Sequence, residues 1–240
     1  MSKPVEIAPA TGKLGILTPG LGAVSTTFMA GVIAMQKGIA EPIGTLTQMG
    51  TIRLGKRTED RSPKIKEFVP HTPMDDLVFG AWDIFPDDAY ESAVKAGVLD
   101  TALLDRIRPD LEKIRPMKAV FDQRYVKKLD GPHVNQGKTL YDLAEALRED
   151  MRSFKEKHGC ERLVMIWCAS TETFLKEGPV HESIEAFEKG LKNNDPAIAP
   201  SMIYAYAAIK EGIPYANGAP NLSADIPALE LLAKQTGSPL

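Results

Sequence analysis

The chain contains 240 residues, 43% of them hydrophobic, and carries a formal net charge of −3 at pH 7. This length and apolar content suffice for one large domain or two modest ones after a flexible arm over residues 1–12. The near-neutral charge, without a long basic block, argues against nucleic-acid binding. No apolar run approaches the ~18 residues that span a membrane. Cys160 and Cys168 lack zinc or redox spacing, so the sequence predicts a reduced, cytoplasmic protein.

The first regular elements read as a strand, a glycine turn and a helix. Leu14–Thr18 is an apolar run typical of a strand, Gly20 and Gly22 follow in a turn, and a helix is predicted over Ala23–Lys37. This order presents backbone N–H groups and a helix N-terminus to a pyrophosphate. The Gly-x-Gly-x-x-Gly fingerprint is incomplete because Ser25 stands at its third glycine. On this motif alone, a βα turn without a ligand is an equally open interpretation.

The next segment lacks the acidic residue that usually binds the adenosine ribose. A second strand is predicted over 43–47, but residues 48–50 after it are Gln-Met-Gly. The charged, proline-containing stretch 51–73 is predicted to be an insertion. Asp83 follows a strand restarting at 77–80, at the sheet edge where ligands gather in α/β proteins. A turn or helix N-cap role for Asp83 is the alternative.

The remainder alternates between helical and strand patterns. Helices are predicted over 88–96, 100–114, 139–157, 180–191, 226–234 and, after Ala199-Pro200-Ser201, through Ile209, and strands over 117–121, 161–167 and at 215. Asp87 is the predicted cap of the first of these helices, and Cys168 is predicted to be a small buried thiol. The nearly continuous apolar strand 161–167 indicates a parallel sheet. The pattern therefore predicts a doubly wound, Rossmann-like α/β domain over 13–240, with helices on both faces of a mostly parallel sheet.

The loop after the predicted strand 161–167 is rich in small and hydroxylated residues. Ser170 and Thr171 offer donors and acceptors to a ligand at the carboxyl end of the strand. An ordinary polar βα loop is the alternative interpretation.

Six segments in order resemble the myo-inositol-1-phosphate synthase family over essentially all of residues 13–240. They are Gly20–Thr27 (GLGAVSTT), Gly44–Gly55 (GTLTQMGTIRLG), Val78–Ile84 (VFGAWDI), Leu163–Glu172 (LVMIWCASTE), Ile198–Ser201 (IAPS) and Gly212–Pro220 (GIPYANGAP). The resemblance implies an NAD-dependent synthase that converts D-glucose 6-phosphate to 1D-myo-inositol 3-phosphate by oxidation, enolisation, intramolecular aldol reaction and reduction. It further implies a role in inositol and phospholipid biosynthesis and a homotetrameric complete enzyme.

The resemblance also implies a role for each matching residue in holding NAD. The pyrophosphate would be wrapped by Gly20, Leu21, Gly22, Ala23, Val24 and Ser25. Asp83 would bind the adenosine ribose, and Ala119 and Val120 would contact the adenine. The cofactor cleft would be lined by Ala169, Ser170 and Thr171, with Gly218 and Ala219 near the nicotinamide and substrate. No metal site is predicted, because the four histidines lack ligand spacing.

The chain departs from the family pattern in its glycine loop, at its end, and at Cys168 and Ser170, where eukaryotic-type relatives have Thr and Asn. Eukaryotic-type members carry a Gly-Leu-Gly-Gly-Asn-Asn-Gly loop, whereas residues 23–26 here are Ala-Val-Ser-Thr, which resembles a bacterial branch. Family members also continue with a segment resembling Gly-Lys-Asp-Phe-Lys-Ser-Gly-Gln-Thr, whose lysines serve the chemistry, and with the sheet that forms the tetramer. Leu240 falls just before this segment. The expectation is therefore a cofactor-binding portion with its catalytic residues beyond Leu240, truncated before the catalytic and tetramerisation domain.

Two other classes of function are alternatives to the NAD-binding portion of a synthase. An isolated dinucleotide-binding module would bind NAD without turnover. A conventional NAD-dependent dehydrogenase is disfavoured by the family segments after Trp167. Missing core partners would leave exposed apolar surface and an unpaired sheet edge.

Overall fold

The computed structural model describes residues 9–240, so most of the arm predicted at 1–12 lies outside the described residues. A five-stranded sheet forms the centre of the fold, in the order β3-β2-β1-β4-β5, and all four neighbouring pairs are parallel. The strands are β1 (Lys13–Pro19), β2 (Leu77–Asp83), β3 (Met117–Lys118), β4 (Cys160–Trp167) and β5 (Tyr215–Asn217). The sheet grows from β1 first towards β2 and then, in the opposite direction, towards β4. The topological switch point therefore lies between β1 and β4.

Helices connect the strands and cover the sheet. They are α1 (Ala23–Gln36), α2 (Leu46–Met49), α3 (Ile65–Phe68), α4 (Ala89–Ala96), α5 (Thr101–Leu111), α6 (Leu140–His158), α7 (Ile184–Asn193), α8 (Pro200–Lys210) and α9 (Pro227–Thr236). Short 3-10 helices occupy Arg57–Glu59, Met74–Asp76 and Pro179–His181.

The core is divided into two layers by the sheet. Ile16 and Phe79 belong to a buried cluster with residues of α1, α4 and α5. Leu17 and Met165 belong to a second cluster with residues of α6, α7, α8 and α9. Successive strand side chains point to opposite faces, which is why Ile16 and Leu17 enter different layers. Helices therefore lie on both faces, and the predicted doubly wound, Rossmann-like fold is confirmed.

Helix α8 is the most deeply buried helix near the carboxyl ends of the strands. Its residues from Pro200 to Ile209 are all buried, and it packs between α6 and α9. Proline at the first helical position suits the start of the helix, because the amide N–H that proline lacks would have no partner there. A helix buried on all sides is a rigid support for the loops beside it.

Helix ends follow their local sequence signals, with one correction. Thr139 caps α6 and Gly159 ends it in the left-handed conformation, close to the predicted bounds. The cap predicted for α4 is wrong by one residue. The carboxylate of Asp88 accepts hydrogen bonds from the N–H groups of Tyr90 and Glu91, whereas Asp87 pairs with Lys95 at 2.6 Å.

The predicted second strand over 43–47 is wrong. Leu46–Met49 instead forms the single helical turn α2, and the side chains of Ile43 and Leu46 are 82% and 71% exposed. The place beside β1 is taken by β2, so the 43–47 segment has no open position next to the strand with which it was predicted to pair. The following stretch, 51–73, contains no buried residue, and Thr51 and Lys64 form an isolated antiparallel bridge.

The strand predicted over 117–121 is shorter than expected. Pairing with β2 involves only Met117 and Lys118, after which Ala119 forms an isolated parallel bridge to Val134. The chain leaves the sheet here, and Ala119 and Val120 become buried wall residues beside the ends of the strands.

Candidate nucleotide-binding site

A cavity of about 800 Å³ opens at the carboxyl ends of the strands. Its size is in the range of small-molecule and cofactor sites. It is lined by the turn after β1, the end of β2, and the segments after β3, β4 and β5. Of the residues predicted to hold the cofactor, all but Ser25 line this cavity.

The fold requires glycine at one of the two glycine positions of the turn and not at the other. Gly20 has φ +88°, and a Cβ there would lie 2.5 Å from the Cα of Ala169. Its N–H donates to the carbonyl of Trp82 at 2.7 Å. A Cβ on Gly22, by contrast, would meet no atom within 4 Å. The fold therefore requires the first glycine, whereas the second leaves open space for a ligand to approach the backbone.

The N-terminus of α1 is suited to an anion. Gly22 is the N-cap residue, no side chain among the described residues caps it, and the first turn contains no acidic residue. The first intrahelical hydrogen bond runs from the N–H of Thr26 to the carbonyl of Gly22 at 3.0 Å. The N–H groups of residues 23–25 therefore have no intrahelical acceptor, and the helix dipole adds positive potential at this end.

Ser25 has a different environment from the one expected for a pyrophosphate ligand. Its side chain is buried, and its hydroxyl donates to the carbonyl of Gly20. The hydroxyl is thus used to close the turn, and only the backbone N–H of Ser25 is available to an anion. A small side chain at the third glycine position still permits close packing of α1 on the sheet.

Asp83 joins the end of β2 to the glycine turn. Its carboxylate accepts hydrogen bonds from the N–H of Leu21 at 2.6 Å and from the N–H of Phe85 at 3.0 Å. Nδ1 of His133 lies 3.0 Å from the carbonyl oxygen of Asp83. Asp83 therefore plays the turn role that was the alternative in the sequence, and it does so while lining the cavity.

A buried polar cluster closes the opposite wall, and sequence reasoning did not single it out. Glu172 is 5% exposed, and its carboxylate accepts hydrogen bonds from the N–H of Ser201 at 3.0 Å and from the Ser201 hydroxyl. The side-chain amide of Asn221 donates to Ser201 Oγ at 3.1 Å and to Glu172 at 3.4 Å. Burial raises the pKa of Glu172 to about 7. The only sequence signal was one acidic residue in a loop that begins with small residues.

Tyr204 supports the wall on the β3 side. Its fully buried hydroxyl accepts a hydrogen bond from the N–H of Val120 at 2.9 Å. Its ring makes edge contacts with Trp82 and Trp167, with centroids 5.5 and 5.6 Å apart. Burial raises the pKa of the Tyr204 phenol. Ser201 and Tyr204 lie on one helix, so α8 holds both walls of the cavity.

Cys168 is only half-buried, so the prediction of a buried thiol was too strong. Its N–H donates to the carbonyl of Pro19 at 3.0 Å, which fixes the start of the loop after β4 beside the glycine turn. Desolvation raises the pKa of its thiol. The side chain is thus poorly suited to act as a thiolate nucleophile at neutral pH.

A second depression, of about 950 Å³, lies at the amino ends of the strands. Two of its charged side chains, those of Arg152 and Glu211, pair with each other at 2.6 Å. Ligands in open α/β sheets bind at the carboxyl ends, at the switch point. The cavity of about 800 Å³ is therefore the candidate functional site.

A parallel sheet with its switch point beside a glycine turn, and a helix whose N-terminus is uncapped, define a dinucleotide-binding protein of the Rossmann type. A family model described as myo-inositol-1-phosphate synthase matches residues 14–240, and the chain belongs to this family. The matched model is the NAD-binding domain of the family, so the cofactor of this domain is NAD. Among the described residues, no helix is long and apolar enough to cross a membrane.

Individual relatives agree with this assignment. The chain is 47% identical over 237 residues to inositol-3-phosphate synthase 1 of Bacteroides thetaiotaomicron, covering 98% of this chain and 54% of that protein. It is 34% identical over 224 residues to inositol-3-phosphate synthase isozyme 1 of Arabidopsis thaliana, covering 87% of this chain and 44% of that protein.

A solved structure supports the fold as well. The crystal structure of inositol-3-phosphate synthase from Caenorhabditis elegans is similar with a TM-score of 0.87 at 26% identity, covering 95% of this chain and 48% of that one. The chain thus spans about half the length of the relatives it matches. The family resemblance and the fold predicted from the sequence are both confirmed.

Proposed function

We propose that this chain is the NAD-holding part of an inositol-3-phosphate synthase, and that NAD binds in the cavity at the carboxyl ends of the strands. The observation that carries the proposal is the convergence of the predicted cofactor residues, from five separate segments, on one cavity at the switch point. The family membership supports the same conclusion.

The orientation of the dinucleotide follows from the strand order. The pyrophosphate is proposed to lie at the N-terminus of α1, against the N–H groups of residues 23–25, since the N–H of Leu21 already donates to Asp83. Its adenosine half would extend towards β2 and β3, where Asp83 offers a carboxylate to the ribose and Ala119 and Val120 offer an apolar wall. The nicotinamide half would extend towards β4 and β5. There it would face Ala169, Ser170, Thr171, Gly218 and Ala219.

The residues of this chain have binding and positioning roles in the proposed reaction. NAD, when bound, supplies the hydride acceptor and donor for converting D-glucose 6-phosphate to 1D-myo-inositol 3-phosphate. The walls fix the dinucleotide relative to the sugar and limit the access of water to it. No residue of this chain is assigned the proton transfers. We propose that they belong to the part of the family's length that this chain does not span.

We also propose three further properties that the family implies. They are self-association into a homotetramer in the complete enzyme, a cytoplasmic location and a role in inositol and phospholipid biosynthesis. The mixed charge and the two free cysteines support a cytoplasmic location.

The alternative function is an isolated dinucleotide-binding module without turnover. Both functions predict that this chain alone binds NAD, and one assay tests that binding together with turnover. The chain is incubated with NAD and D-glucose 6-phosphate, and product is followed by phosphorus NMR alongside NAD binding. Formation of an inositol phosphate would assign the whole synthase reaction to these 240 residues. Binding without product supports the holding of NAD by this chain and is the result that both functions predict. A folded chain that neither binds NAD nor forms product contradicts the proposal.

A further inference from the structure

The cluster of Glu172, Ser201 and Asn221 joins three segments that are distant in the chain. Glu172 lies in the loop after β4, Ser201 lies in the first turn of α8, and Asn221 lies in the loop after β5. Besides the contacts of the carboxylate, the N–H of Glu172 donates to Oδ1 of Asn221 at 3.4 Å. All three residues are at least 95% buried. The cluster is therefore a fixed internal connection rather than a surface contact.

The first part of the loop after β5, residues 218–220, lies between Asn221 of this cluster and Asn217. The side-chain amide of Asn217 donates to the carbonyl of Asn221 at 2.8 Å, and its Oδ1 accepts from the N–H of Ala219 at 3.0 Å. The N–H of Gly218 donates to the carbonyl of Trp167 at 3.1 Å. The three residues between these anchors, 218–220, all line the cavity.

We propose that Glu172 is a positioning residue that, through Ser201 and Asn221, fixes the wall formed by residues 218–220 against the nicotinamide half of the cofactor. The inference rests on the proposed function, because it presumes that NAD occupies the cavity. It goes beyond that function by assigning a role to a side chain that need not touch the adenosine half at all.

The chemical character of the cluster supports a role beyond packing. A buried carboxyl group must give up hydration, and an apolar side chain would fill the same space without that loss. A carboxyl group can, however, engage the helix N–H of Ser201 and the side chains of both partners at once. It thereby sets the distance between the loops after β4 and β5 more sharply than apolar packing could.

The test compares the two halves of the cofactor. Binding of NAD and of AMP to the full 240-residue chain is measured by calorimetry for wild type, Glu172→Ala and Glu172→Gln. Glu177→Ala is the matched control, because Glu177 is an exposed acid in the same loop. The alanine variant is expected to weaken NAD binding at least about tenfold while AMP binding stays within about twofold, since AMP lacks the nicotinamide half. The glutamine variant retains polar atoms for Ser201 and is expected to stay within about threefold of wild type for NAD.

The outcomes are distinguishable. If Glu172→Ala weakens the binding of NAD and of AMP equally, or weakens neither, the positioning role is overturned while the proposed function stays intact. A folded wild-type chain that binds neither ligand overturns the proposed function and this inference with it. If circular dichroism shows that Glu172→Ala does not fold, Ser201→Ala, which removes only the hydroxyl, replaces it. Ser201→Ala is expected to weaken NAD binding more than AMP binding, by a smaller factor than Glu172→Ala would. Ser201→Ala binding NAD like wild type would then contradict the role.

Discussion

The carboxylate of Asp83 accepts a hydrogen bond from the backbone N–H of Leu21 at 2.6 Å, which ties the end of β2 to the glycine turn after β1. The same carboxylate also receives the N–H of Phe85. One side chain therefore shapes the turn at the N-terminus of α1 and presents its charge to the cavity. The turn role, which the structure shows, and the proposed ligand role, which the sequence presents as its alternative, would therefore use the same carboxylate.

Replacing Asp83 with alanine is expected to lower NAD affinity at least about tenfold, because the turn loses its anchor and the proposed ribose loses its partner. Calorimetric titration measures the affinity, and a thermal melt shows that the variant is folded. Asp75→Ala, at an exposed acid distant from the cavity, is the control and should bind as wild type does. A folded Asp83→Ala chain with wild-type NAD affinity would rule out both roles.

The two glycines of the turn predict opposite phenotypes. Gly20→Ala places a Cβ 2.5 Å from the Cα of Ala169 at φ +88°, so we expect a loss of stability of about 1–3 kcal/mol and loss of NAD binding. Gly22→Ala should retain the wild-type melting temperature, because its Cβ meets no protein atom within 4 Å, yet it should weaken NAD binding where the ligand approaches the backbone. Urea unfolding and calorimetry separate the two effects. A destabilised Gly22→Ala variant, or a stable Gly20→Ala variant, would contradict this description of the turn.

Glu172 gives the stability of the chain a pH dependence. Burial raises its pKa from an ordinary 4.5 to about 7 in the folded chain. The stabilising contribution of the protonated form is therefore complete below pH 4.5 and is lost as the pH rises through about 7. Glu172→Gln cannot ionise, so its stability relative to wild type should rise by about 2 kcal/mol between about pH 5 and about pH 8. Urea unfolding at both pH values measures this difference, and an unchanged difference would show that Glu172 does not titrate as described.

Tyr204→Phe removes the only described acceptor for the buried N–H of Val120. Leaving that N–H without a partner is expected to lower the free energy of unfolding by about 1–3 kcal/mol. The control is Tyr90→Phe, whose hydroxyl donates to Asp105 at the exposed surface and whose loss should stay within about 0.5 kcal/mol. Equal effects in the two variants, measured by urea unfolding, would show that the Tyr204 hydroxyl does not support the wall.

Much of the fold could be predicted because its signals are local. The strand, glycine turn and helix over residues 13–36 and the long helix α6 each carry their own apolar pattern and end signals. The strand predicted over 43–47 failed because strand formation needs a partner, and residues 77–83 occupy the place beside β1. A short apolar run in the sequence does not show which distant strand, if any, it will pair with.

The candidate site could be predicted in its backbone elements and less well in its side-chain connections. Glycines and small residues after strands mark places where a ligand can approach the main chain. The glycines and small residues predicted in this way line the cavity, except for Ser25. The contacts of Glu172 with Ser201 and Asn221 span 29 and 49 residues of chain. Each of these residues looks ordinary in its own segment, so only the folded structure reveals the cluster. The contact between Ser25 and Gly20 was hidden for another reason, since a hydroxyl next to a glycine turn can face either the ligand or the backbone.

The central claim, that NAD binds with its pyrophosphate at the N-terminus of α1, is tested most directly by calorimetric titration of the wild-type chain and Val24→Asp. Val24 is 64% exposed, lines the cavity and lies in the first turn of α1. An aspartate there suits the helix dipole and should leave the fold intact, but its charge would repel the pyrophosphate. We predict saturable NAD binding at one site by the wild type and none by Val24→Asp, with melting temperatures at least as high in the variant. A folded wild-type chain that does not bind NAD, or a Val24→Asp chain that binds it equally well, would contradict the account.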